Sequence, residues 1–122
     1  MNISMAEHLD PHWIGLFCQL YGVVNCFADD PLNVIAKIGG GQISVPEDQA
    51  TELDNYLRAI GDHYPDSSGI AVVRVAREID HILASRSLGG EAFDEAFWTN
   101  EGFQEHPDWL KIRELARAFL LR

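Results

Sequence analysis

The stretch Ile70-Ala71-Val72-Val73-Arg74-Val75-Ala76-Arg77-Glu78-Ile79-Asp80-His81-Ile82-Leu83-Ala84-Ser85 decides how the rest of the chain is read. Val72, Val75, Ala76, Ile79, Ile82 and Leu83 recur at the three- and four-residue steps that put side chains on one face of an α-helix. The run is therefore expected to be a helix, central and the most buried of the fold. Its β-branched valines leave a strand at the beginning as the alternative.

Moving toward the N-terminus, Pro65, Asp66, Ser67 and Ser68 form a turn-rich break between Gly61 and Gly69. Before it, Ser44-Val45-Pro46-Glu47 has the layout of a capping box and opens a helix with the stripe Ala50, Leu53, Tyr56, Leu57 and Ile60. Gly39-Gly40-Gly41 stops the preceding short helix, Leu32 to Ile38, which Asp29-Asp30-Pro31 begins. No Lys-Ser or Lys-Thr follows the glycines, so a phosphate cradle is not the reading. Trp13, Leu16, Phe17, Leu20, Tyr21 and Val24 mark a first helix from Pro11 to Val24. Gly15 and Gly22 interrupt that helix with weak helix formers.

Toward the C-terminus, Ser87-Leu88-Gly89-Gly90 breaks the chain, and Glu91 to Asn100 reads as a short helix turning Phe93, Ala96 and Phe97 inward, closed by Gly102. His106-Pro107-Asp108 starts a last helix with Trp109, Ile112, Ala116, Phe119 and Leu120 on one side and Lys111, Arg113, Arg117 and Arg122 on the other. The expected fold is all-α, a single compact domain over residues 1–122 of five or six short helices, with residues 1–10 flexible. A strand pair near Gln42 to Val45 is the rival.

A chain of 122 residues can close a core without metal or disulfide help. With 47% hydrophobic and 23% charged residues it is too apolar to stay disordered. No apolar run approaches the roughly 20 residues that span a bilayer, and Met1 to Glu7 lacks the basic-then-apolar build of a signal peptide, so a cytoplasmic location without membrane contact is expected. Cys18 and Cys26 are expected to be buried small hydrophobes and not a bridge. The net charge of −10 repels phosphate backbones and disfavours direct nucleic-acid binding.

Little in the sequence signals catalysis. The five histidines are scattered, and no Gly-x-Ser-x-Gly surrounds a serine. His8 and His12 stand four residues apart around Asp10, a metal-ligand spacing, but Pro11 breaks the helical turn that would bring the rings together. Neighbouring carboxylates such as Asp29-Asp30 and Asp94-Glu95 point apart on a helix and read as a solvated face before they read as an acid and base pair. His81, beside Asp80, reads as a flanking surface residue. No catalytic residue, metal ligand or cofactor is assigned.

The distribution of charge says more. Residues 46–66 carry a balance of −5 and residues 89–108 one of −6 with no Lys or Arg, whereas residues 109–122 carry +3. Acidity gathered in this way marks a surface for a basic protein partner. Glu47, Glu52, Asp54, Glu91, Asp94, Glu95, Glu101 and Glu105 are the candidate contacts. If 91–100 is helical, Trp98 lies over Glu91, Asp94 and Glu95 as an aromatic anchor among carboxylates. Two readings of Trp98 stay open, that anchor and a side chain folded back over the turn between Gly102 and Pro107.

Arg77-Glu78-Ile79-Asp80-His81-Ile82-Leu83-Ala84-Ser85, Leu88, the acidic-aromatic stretch Glu91 to Phe97, and Trp109-Leu110-Lys111-Ile112-Arg113-Glu114-Leu115 resemble small helical immunity proteins of bacterial contact-dependent growth inhibition systems. The likeness covers about half of the chain. Where that group carries an aromatic-His-x-Asp-Trp stretch, the nearest equivalent is Asn25-Cys26-Phe27-Ala28-Asp29-Asp30. The resemblance implies a protein that binds the C-terminal toxin domain of a secreted effector, often a nuclease, and blocks it by direct complex formation. An adaptor or regulatory subunit for another basic protein, and a small carboxylate-based hydrolase, are the alternatives.

Overall fold

Short-range capping sets where the helices begin. In the computed structural model, which describes residues 11–38 and 44–121 and side chains from Ile14 onward, six α-helices and two 3₁₀ turns follow one another with no strand among the described residues. They are α1 (Pro11–Ala28), α2 (Pro31–Ile38), α3 (Val45–His63), α4 (Ala71–Arg86), α5 (Asn100–Glu105) and α6 (Pro107–Leu120), with 3₁₀ turns at Pro65–Gly69 and Glu95–Trp98. The all-α single domain expected from the sequence is the fold observed. The Asp30 carboxylate accepts the Leu32 amide at 2.9 Å at the start of α2, and Ser44 Oγ accepts that of Glu47 at 3.4 Å at the start of α3. The His106 ring accepts the Asp108 amide at 3.0 Å at the start of α6. Of the proposed strand pair, Ser44 caps and Val45 begins α3, and Gln42 and Ile43 lie outside the described residues. Residues 1–10, with His8, and Gly39 to Gly41 lie outside them too, as do the His12 and Trp13 side chains.

α4 lies against α3 on one side and α6 on the other, and α1 packs against all three. The expected stripe of α4 is buried, Ile82 only in part, and Val73 joins it. α4 buries six apolar side chains in 16 residues, against six buried side chains in the 19 residues of α3, and only its outer face, Arg74, Arg77, Glu78, His81 and Ala84, meets solvent. The largest fully buried side chains, Trp109, Phe97 and Phe103, come from the last third of the chain. Trp109 stacks on Phe97 at 4.7 Å between centroids, meets Phe103 edge-on at 4.8 Å and Phe27 at 5.9 Å, and donates its indole N–H to Phe97 O at 2.9 Å.

The segment after α4 departs from expectation. Residues 91–100 are not one α-helix but a turn, a 3₁₀ turn and the start of α5, because three side chains each end or begin a short piece. Asp94 accepts the Ala96 amide at 3.0 Å, Thr99 the Gly102 amide at 2.9 Å, and Asp94 Oδ2 meets His106 Nε2 at 3.3 Å. Phe97 is buried, whereas Phe93 and Ala96, expected inside, are exposed. Gly102 sits inside α5 and does not close a helix; a Cβ there would fall 1.9 Å from Ala96 O, so the 3₁₀ turn can approach only at a glycine. Gly89, at φ +87°, turns the chain out of α4.

The basic residues of α6 do not neutralise the acidic surface. Arg113 is buried, donates to Phe103 O at 2.9 Å over the Phe103 ring, and burial together with Arg117 holds its guanidinium below the usual arginine range. Arg117 Nε donates to Ala28 O at 2.7 Å, capping the last turn of α1. No disulfide joins the cysteines, and Cys18 is exposed instead of buried. Among the described residues no helix is long and apolar enough to cross a membrane, and no three His, Cys, Asp or Glu residues gather as metal ligands would.

Candidate acidic docking groove

Adjacent helices joined by a short connection leave a furrow wherever their facing residues are small. α3 and α4 present Ala50, Thr51, Leu83 and Ala84 to one another, and the chain leaving α4 closes the open end. The result is a surface groove of about 440 Å³. Its acidic wall is Glu47 and Asp54 from α3 and Asp80 from α4; its far wall is Leu88, Phe93 and Trp98.

Hydrogen bonds hold that far wall in place. Ser44 Oγ donates to Trp98 O at 2.8 Å, the Val45 amide donates to Asn100 Oδ1 at 3.0 Å, and the Trp98 indole N–H donates to Arg86 O at 2.8 Å. Arg86 reaches onward to Asp108 at 2.7 Å and to Ala92 O at 3.1 Å, pinning the turn that carries Leu88 and Phe93. Trp98 also meets Phe97 edge-on at 4.9 Å. Trp98 shares the groove lining with Glu47, Asp54 and Asp80, in place of the Glu91, Asp94 and Glu95 that a 91–100 helix would set beneath it, and rests edge-on against the Phe97 ring. Two apolar side chains remain in solvent at the rim, Leu88 at 85% exposure and Phe93 at 43%.

Electrostatically the groove is primed for a cation. Partial burial pushes the Asp80 carboxyl above the ordinary aspartate range, and the Asp54 charge adds to that shift, while Arg77, Arg58 and His81 oppose it. Asp54 is held by Arg58 Nε at 2.8 Å, in an exposed pair of neighbouring helical turns. Such a pair contributes little to stability and is easily exchanged for an incoming guanidinium or ammonium. An entering cation would relieve the repulsion between the two aspartates.

Of the residues expected from sequence, Glu47, Asp54 and Trp98 meet in this groove. Glu52 lies in a different furrow between α1 and α3, beside Cys18, Cys26 and Gln49, where burial raises the Cys26 thiol above its usual range. Glu91, Glu95, Glu101 and Glu105 are exposed outside the groove lining, and Asp94 is engaged in capping and with His106. Sequence reading missed Asp80, Leu88 and Phe93. The trace of Asp80 was its place four residues after Ala76 and three before Leu83, a carboxylate beside an apolar stripe; that of Leu88 was a large apolar residue stranded between a helix end and two glycines. No family model, curated protein or solved structure matches the chain.

Proposed function

We propose that this chain is an immunity-type protein that neutralises a basic toxin domain, of the kind a nuclease presents, by direct complex formation through the α3–α4 groove. The observation that carries the reading is the meeting of Glu47, Asp54 and Asp80 with Trp98, Phe93 and Leu88 in one furrow. Aromatic and apolar surface supplies desolvated contact, and the carboxylates receive Lys or Arg side chains whose aliphatic stems lie along the tryptophan. A nuclease cleft must attract polyanions, so a chain of net charge −10 is steered toward it and stands in for its substrate. The resemblance of the second half to contact-dependent growth inhibition immunity proteins supports the same role, with no cofactor, in the cytoplasm of the producing cell.

The test is coexpression with the product of the neighbouring gene, followed by purification and stopped-flow association. A stable complex is expected, formed more slowly at high salt, with Glu47→Lys plus Asp54→Lys slowing association about tenfold or more. Absence of a complex, or an unchanged rate in the variant, would remove the reading. An adaptor for another basic protein would bind through the same groove without protecting cells from the toxin.

One observation favours a second reading, a small carboxylate hydrolase: Asp80 shares the groove with Asp54 and its carboxyl is pushed upward, the direction a general acid requires. Under that reading Asp80→Asn abolishes turnover of a substrate. Under the binding reading it changes affinity for the partner alone.

A further inference from the structure

Most cations of this acidic chain are spent inside the molecule. Lys37 pairs with Asp29 at 3.2 Å, Arg58 with Asp54 and Arg86 with Asp108, while Arg113 and Arg117 donate to main-chain carbonyls. Three remain that form no hydrogen bond or salt bridge among the described residues: Arg74, Arg77 and Lys111. All three line the same groove, of about 530 Å³, between α4 and α6. Arg74 stands on α4 and Lys111 faces it from α6, while Arg77 lines the edge of the groove and its guanidinium reaches toward Gly61 of α3, on the side of Asp80.

The floor between these cations is apolar, made by Ile82 and Leu115, and His81 completes the α4 side; Glu78 is the lone carboxylate in the lining. This groove shares no lining residue with the acidic one. On a chain whose remaining surface is strongly negative, these exposed cations repel one another only weakly through solvent and contribute little to the fold, since exposed ion pairs are worth little even when made. Their convergence is explained by an occupant.

We propose that the α4–α6 groove is a second docking surface, for an acidic amphipathic segment of another protein, which sets carboxylates against Arg74 and Lys111, with Arg77 at the edge, and an apolar side chain on Ile82 and Leu115. Charge complementarity selects the sign of the occupant, and the apolar floor selects a peptide over a nucleic acid, whose contacts follow phosphates along a continuous cationic track. The net charge of −10 also penalises a polyanion far more than a segment bearing a few carboxylates. The chain then carries two recognition surfaces of opposite sign and can hold a basic and an acidic partner together.

The experiment is an NMR titration of the isotope-labelled chain with two probes, a synthetic helical peptide bearing glutamates and leucines on one face and a single-stranded oligonucleotide. Saturable shifts of amides around residues 74–82 and 111–115 are expected with the peptide. Arg74→Glu plus Lys111→Glu should weaken it about tenfold, with an unchanged melting temperature because both side chains are exposed. Arg77→Gln, which removes charge without reversing it, should give a smaller loss. Absence of peptide shifts, shifts elsewhere, an affinity indifferent to these substitutions, or an oligonucleotide bound there more tightly than the peptide would each overturn the proposal. None of these outcomes depends on the toxin reading of the acidic groove.

Discussion

Trp98 and Trp109 stand eleven residues apart and both donate an indole N–H to a main-chain carbonyl, yet their environments are opposite. Trp109 is 1% exposed and sits amid Phe27, Phe97 and Phe103. Trp98 is half-buried, shows one side to the Phe97 ring and another to a furrow edged by carboxylates. The same residue type thus serves the core in one place and a surface in the other, and which task it has depends on whether the 3₁₀ turn before α5 holds its position.

The comparison predicts separable consequences. Trp109→Ala should cost about 3–5 kcal/mol, a large part of the 5–15 kcal/mol typical of a domain; denaturant titration by near-UV circular dichroism reads it, and a loss under about 1 kcal/mol would deny Trp109 its central place. Gly102→Ala comes next, at about 1–3 kcal/mol, since the new methyl group must displace the Ala96 carbonyl. If it is neutral, the 3₁₀ turn is not fixed against α5 and the groove wall is soft. Trp98→Phe should cost about 1 kcal/mol from the lost bond to Arg86 O, and the loss should be larger in partner affinity than in stability. A variant equally impaired in both would merge the two tryptophans into one structural role.

The smallest effect is expected at Asp80, where pH gives the sign. A carboxyl raised above the ordinary value of 3.8 binds its proton more tightly in the folded chain, so its contribution to stability falls as pH rises through the interval between 3.8 and the folded value. At neutral pH the carboxylate is charged and its cost is present in full. Asp80→Asn should therefore melt slightly higher than the parent at neutral pH, with the difference vanishing below 3.8. A variant melting lower throughout would show that attraction at Asp80 outweighs the cost of burying its charge.

The helices and their starts could be read directly from the sequence, because Asp30, Ser44 and His106 act on amides two or three residues away and such effects are local. Residues 91–106 could not. Asp94, Thr99 and His106 look like ordinary polar residues in sequence, and only the folded chain reveals that each ends one short piece and begins another. Phe93 and Phe97, four apart, share one face on helical spacing, a relation the 3₁₀ turn abolishes. In the groove, Glu47 and Asp54 were visible as local acidity, whereas Asp80 joined them only through the packing of α4 on α3, which no spacing within α4 encodes.

The bond from Arg117 to Ala28 O spans 89 positions of chain. Because α6 supplies Trp109, Ile112 and Ala116 to the core, a nascent polypeptide still lacking residues 107–120 exposes the apolar faces of α1 and α4 to the crowded exit of the ribosome. Closure must wait until synthesis has passed α6, so these helices pack together only once residues 107–120 have left the ribosome.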